Sequence, residues 1–123
     1  MKYKITEQEN YALIEIIESR LNENHHTNLR ELLTDIKSKK INHVILNMKS
    51  ITYFNITSLP TFLFGNSLFK ELGSFVLCEI PIALEKIIKS NPSAHKIDFV
   101  PTLEEAIESI ILTDLDNMLK NEV

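Results

Sequence analysis

Val44-Ile-Leu-Asn-Met48 is five residues long and apolar almost throughout, too short for a helix with one buried stripe. Such a run reads as a strand covered on both faces, as strands are inside a partly parallel sheet. A second run of the same kind, Ser74-Phe-Val-Leu-Cys-Glu-Ile80, follows after Ser58–Leu72, which reads as a helix with Pro60 in its first turn, where an amide has no internal partner. Strand, helix and strand in this order predict a parallel crossover. Gly65 lies inside that helix at a cost of about 1 kcal/mol relative to alanine, which implies close approach of a neighbouring element. Gly73 is expected to end it.

Outward from this centre, Lys2–Thr6 and Tyr11–Ile17 read as a hairpin joined by Glu7-Gln8-Glu9-Asn10, and Ser19–Asn24 as a polar loop. Asn28 and Glu31 have the spacing of a capping box, and Leu29, Leu32, Leu33 and Ile36 then form one helical stripe ending at Lys37, Lys39 and Lys40. Residues 49–57 are a loop carrying Tyr53 and Phe54. Pro81 opens a short helix with Leu84, Ile87 and Ile88, closed by Asn91-Pro92, and Ile97–Val100 is a last strand. Thr102 and Glu105 form another capping box, before a helix whose stripe is Leu103, Ala106, Ile107, Ile110 and Ile111, with Met118 on the same face. The order β-β-α-β-α-β-α-β-α predicts an α/β fold, a mixed sheet covered by helices, as a single domain over 1–123.

Of the 123 residues 44% are apolar and 24% charged, with a net charge of −4. A chain of this size buries about two thirds of its surface, enough for a core without staples. No apolar stretch approaches the roughly 18 residues of a membrane span. The N-terminus becomes polar at once, so a cytoplasmic protein is the default. One cysteine, Cys78, excludes an internal disulfide framework and a multi-cysteine zinc site. The acidic balance gives no electrostatic case for nucleic acid. All of the net negative charge lies in the last helix and its end, where Lys120 stands against Glu104, Glu105, Glu108, Asp114, Asp116 and Glu122. That distribution reads as a solvated face.

Chemistry is scarce. Two glycines cannot build a phosphate-cradling loop, and no cofactor is expected. His25-His26 reads as an exposed polar turn, because adjacent side chains diverge and no third ligand has a telling spacing; no metal site is expected. His43 and His95 could act as general bases only opposite a nucleophile that the sequence does not supply. Cys78, in an apolar strand, reads as a small hydrophobe. Phe62, Phe64, Leu68 and Phe69 read as core packing.

The stretch Val44–Leu59 nevertheless has a distinctive cadence. It resembles the STAS domain of bacterial anti-sigma factor antagonists (anti-anti-sigma factors), in which a buried strand leads through a short turn into Asp-Ser-Ser-Gly-Leu at a helix start. Asn55, Ile56, Thr57, Ser58 and Leu59 occupy those five positions. The resemblance continues through Leu63-Phe-Gly-Asn-Ser-Leu68 and Gly73-Ser-Phe-Val-Leu-Cys78, and ends with Phe99-Val-Pro-Thr-Leu-Glu-Glu-Ala-Ile107, so it covers nearly the whole chain. It implies a STAS-like sheet, no enzymatic activity and a role in signal transduction and the regulation of transcription. The partner it implies is an anti-sigma factor or a related ATP-binding serine kinase. In the family that kinase phosphorylates the serine after the motif aspartate, and the added charge of about −1.5 to −2 reverses binding.

Here Ile56 stands at the serine's position and has no hydroxyl, Asn55 lacks the aspartate's charge, and Ser58 replaces the glycine. The expectation is an interaction module that binds through Phe54, Asn55, Ile56, Thr57, Ser58, Leu59 and Pro60 without the usual serine switch. Thr57 is the remaining candidate acceptor, although Thr57 or Ser58 could instead cap the following helix. Asn22, Asn24 and the hairpin end are lesser contact candidates. Two further expectations are a homodimer through a sheet edge or apolar patch and, as the alternative reading, a STAS domain sensing a nucleotide or lipid or serving as a scaffold subunit of a signalling assembly. An apolar cavity lined by Phe62, Phe64 or Phe69 would favour the sensor.

Overall fold

A computed structural model of the protein describes residues 1–53 and 56–121. Its strands form one five-stranded sheet in the order β1 (Tyr3–Glu7), β2 (Tyr11–Ile16), β3 (His43–Asn47), β4 (Ser74–Cys78), β5 (Asp98–Val100). β1 and β2 are antiparallel, and each later strand adds in parallel beside its predecessor. Helices α1 (Glu23–Ser38), α2 (Leu59–Phe69) and α3 (Ile82–Lys89) make the three crossovers, and α4 (Leu103–Asn121) follows β5. Crossovers of one hand that advance in one direction put their helices on one side of a sheet, and the core divides accordingly. Val44, Leu46, Phe75 and Leu77 pack with Leu33 of α1, Phe62 of α2 and Ile88 of α3. The alternate residues Ile45, Val76 and Cys78 pack with Ala106 and Ile110 of α4. Every residue of β3 and β4 is buried, as their unbroken apolar runs imply. Burial also pushes the Cys78 thiol up to about 12, which suits packing and not nucleophilic attack.

The two glycines have the same physical cause. A Cβ on Gly65 would stand 2.7–2.8 Å from the Phe75 ring, so α2 lies on β4 as closely as it does because that position carries no side chain. Gly73 is not in the left-handed conformation expected of a helix-terminating glycine. An added Cβ there would overlap the Asn42 carbonyl, so Gly73 is a close-approach glycine as well.

Two helix readings need correction. α1 starts five residues before Asn28, at Glu23, because Asn22 accepts from the His25 amide at 3.0 Å while the His25 ring accepts from the Asn22 amide at 3.3 Å. A histidine takes the place usually held by glutamate, and Asn28 lies on an exposed face of the helix. In α4, Thr102 Oγ1 does accept from the Glu105 amide at 3.1 Å. Its buried stripe, however, stops at Ile110: Ile111 and Met118 are 56% and 60% exposed.

Candidate functional site

The segment after β3 leaves the C-terminal end of the sheet's parallel strands and is tied to the loop after β2. The amides of Thr52 and Tyr53 both donate to the Ser19 carbonyl, at 2.9 and 3.1 Å, and the Thr52 hydroxyl donates to it at 3.2 Å. Arg20 pairs with Tyr53 in an isolated bridge, with its guanidinium 5.1 Å from the centre of the exposed Tyr53 ring. A cation over an exposed aromatic face is attracted by the ring quadrupole by about 0.5–1 kcal/mol. Past this point Phe54 and Asn55, and the side chain of Ile56, lie outside the described residues. Ile56–Ser58 form a 3-10 turn that leads directly into α2.

Within 57–60 the side chains divide. Thr57 and Pro60 are exposed, whereas Ser58 and Leu59 are buried at 0% and 4% exposure. Ser58 and Leu59 therefore do not supply direct contact surface. Nor does Ser58 cap α2 through its side chain. Its Oγ is 3.2 Å from His26 Nε2. Beside it, Arg30 Nη1 donates to the buried Thr61 hydroxyl at 3.0 Å. The serine that replaces the motif glycine thus gives the start of α2 a polar tie to α1, and the Arg30–Thr61 bond is a second.

The His25-His26 pair is not an exposed turn. Both lie in the first turn of α1; His25 belongs to the cap, and His26, 5% exposed, faces inward with no hydrogen-bond partner for Nδ1 among the described residues. Nothing in the residue types marks His26 as buried. The signal available was Asn22-x-x-His25, a cap that sets the helix phase. Burial first, and then Arg30, pull the His26 pKa below 6.5, so the folded chain holds it neutral. The unfolded chain binds the proton more readily, so stability is flat above 6.5 and falls as the pH drops below it. Urea midpoints should decline as the pH is lowered below 6.5, and His26→Gln should remove much of that slope. An unchanged slope would place the titrating group elsewhere.

The other candidates are dispersed. Asn22 and Asn24 are exposed at the start of α1, whereas the hairpin end lies at the end of the sheet opposite the segment after β3, where Tyr11 is in register with His43. His43 is buried there with Nε2 2.6 Å from Asp114 Oδ1, and His95 sits in a 3-10 turn, its Nδ1 against the Pro92 carbonyl. No three His, Cys, Asp or Glu side chains converge on a metal position among the described residues, and no described helix is long and apolar enough to cross a membrane. Phe62 and Phe69 are closed inside the core. Phe64 lines a surface groove of about 610 Å³ with Arg30, Glu31, Thr34, Asp35 and Ser38, all on α1. It is an open surface groove, not an enclosed cavity.

No family model matches the chain, and no curated protein matches it in sequence. Solved structures do match in fold. An anti-sigma-factor antagonist (STAS) domain protein from Planctomyces limnophilus superposes with a TM-score of 0.74 at 14% identity, over 88% of this chain and 96% of its own. The Bacillus cell fate determinant SpoIIAA in its phosphorylated form does so with 0.66 at 12% identity, over 89% and 99%. A serine-to-glutamate variant of RsbS from Moorella thermoacetica gives 0.70 at 16%, over 98% and 99%. The chain has the STAS fold.

Proposed function

We propose that the protein is a non-enzymatic regulatory module that binds an anti-sigma factor, or a related ATP-binding serine kinase, through the segment 54–60, and that it lacks the serine switch. The observation that carries this reading is Ile56 at the place of the motif serine, at the entry to α2 in a chain with the STAS fold. A residue without a hydroxyl cannot accept a phosphoryl group. Ser58, the hydroxyl two positions on, is fully buried against His26, out of a kinase's reach. Thr57 is exposed and stays the candidate acceptor. The described surface around the segment suits a protein partner: Arg20 stacked on Tyr53, then Thr57 and Pro60, with no acidic side chain in the first turn of α2. Aromatic and arginine side chains held in place are the residue types that dominate interface energies.

The test is affinity capture from the native cytosol with the unaltered chain and with Ile56→Asp. A carboxylate at that position should weaken capture roughly tenfold or more, by desolvation and repulsion inside an interface. Equal capture by both proteins would remove the segment as the docking site. In parallel, incubation with the captured kinase and ATP, read by intact mass, should leave the chain unmodified; stoichiometric phosphate on Thr57 would restore a switch and overturn that half of the proposal.

A further inference from the structure

The C-terminal half of α4 is amphipathic the wrong way round for a helix that only covers its own sheet. Beyond Ile110, the side chains turned toward the body are Thr113, Asp114 and Asn117, all half-buried. Asp114 is held there by His43 Nε2 at 2.6 Å and by Asn10 Nδ2, which donates to it at 3.0 Å. The opposite face presents Ile111, Leu112, Leu115, Met118 and Leu119, each 49–60% exposed. Isolated exposed apolar residues are ordinary, but a continuous stripe over two turns marks an interaction surface.

The spacing of the stripe suits a second copy of the same helix. Ile111, Leu112, Met118 and Leu119 lie four and three positions either side of Leu115. Two such helices crossing antiparallel on a two-fold axis at Leu115 bring Leu112 against the partner copy's position 119, and Ile111 against its position 118. We propose that this chain forms a homodimer through residues 111–119 of α4, antiparallel, with Leu115 at the axis. At about 100 Å² for each half-exposed side chain, five bury roughly 500 Å² per copy and about 1,000 Å² in all, the size at which specific interfaces begin. Charge weighs against the parallel direction. Glu104 and Glu108 lie on the same outward face just before the stripe. A parallel pair would set each against its own copy, whereas the antiparallel pair separates the two copies of Glu108 by about 20 Å along the helix. This contact lies on the opposite face of the sheet from α2, so its test and that of the 54–60 segment succeed or fail separately.

Sedimentation equilibrium on the full chain should show a monomer–dimer equilibrium that tightens with added salt, because each copy carries −4. Leu115→Arg should weaken association at least about tenfold. Leu115→Cys should form an intermolecular disulfide under mild oxidation while Glu105→Cys, outside the overlap, should not. The native thiol of Cys78 is buried and does not compete. A chain that stays monomeric overturns the proposal, whether a further segment or a different protein then covers this face. So does a dimer indifferent to Leu115→Arg, or equal crosslinking from both cysteine variants.

Discussion

Gly73→Ala should be among the most damaging single-methyl additions in this chain, costing on the order of 3 kcal/mol in urea unfolding against a total stability of about 5–15 kcal/mol. The position joins the end of α2 to β4, and the backbone leading into β3 runs directly beside it. An alanine Cβ would overlap the Asn42 carbonyl oxygen and stand 2.5 Å from its carbon. That oxygen is not free to move, because it accepts the Ser74 amide at 3.2 Å as the first bond between the approaches to β3 and β4. The Gly73 amide is itself fixed to the Phe69 carbonyl at 2.9 Å. Relief therefore requires opening the start of a ladder in which His43 is in register with Ser74. No backbone-dihedral penalty contributes, since Gly73 does not have a positive φ. Gly65→Ala is the natural comparison: its clash is with the Phe75 ring, which can tilt, and the helix gains about 1 kcal/mol from the substitution. Gly73→Ala should be clearly the worse of the two. Equal or smaller loss would mean that the strand entry yields more easily than its hydrogen bonds imply.

The contrast between these glycines shows what was legible in the amino-acid sequence. The element order was, because two unbroken apolar runs either side of a helical stretch admit few arrangements, and the structure has the mixed sheet they imply. Close approach at Gly65 was also readable, since a helix rarely accepts glycine without a steric reason. Gly73 looked like a helix terminator because the backbone that excludes its Cβ is that of Asn42, remote in sequence. Helix phase was lost in the same way. Asn28-x-x-Glu31 has the better capping letters, but the chain uses Asn22 and His25, and this choice is what turns His26 inward against Ser58. The outer stripe of α4 failed for a different reason. Periodicity says that apolar residues share a face, not that the protein's own sheet lies under it. In the 54–60 segment, residue types alone could not separate Thr57 and Pro60, which face out, from Ser58 and Leu59, which face in.

The buried half of that segment leads to the second large effect, Phe62→Ala. α2 opens with Leu59 and Phe62 one turn apart, both turned into the core, and Phe62 is among the largest side chains with no exposure at all. Removing the ring should cost about 3–5 kcal/mol, the transfer of an aromatic side chain plus the cavity it leaves. Phe62→Leu, which keeps most of the volume, should cost about 1 kcal/mol. The loss is local before it is global. Without Phe62 the first turn of α2 keeps Leu59, the Ser58–His26 contact and the Arg30–Thr61 bond, and amides at 59–61 should exchange faster than those of β3 and β4. This separates seat from surface. Ile56→Asp should weaken partner capture with little change in unfolding midpoint, whereas Phe62→Ala should lower the midpoint and weaken capture by loosening the platform from which Thr57 and Pro60 project. If Phe62→Ala costs under about 1 kcal/mol, the core closes over the gap and the start of α2 does not depend on this ring. If it destabilises as expected while capture per folded molecule is unchanged, the partner does not read the geometry of this helix start.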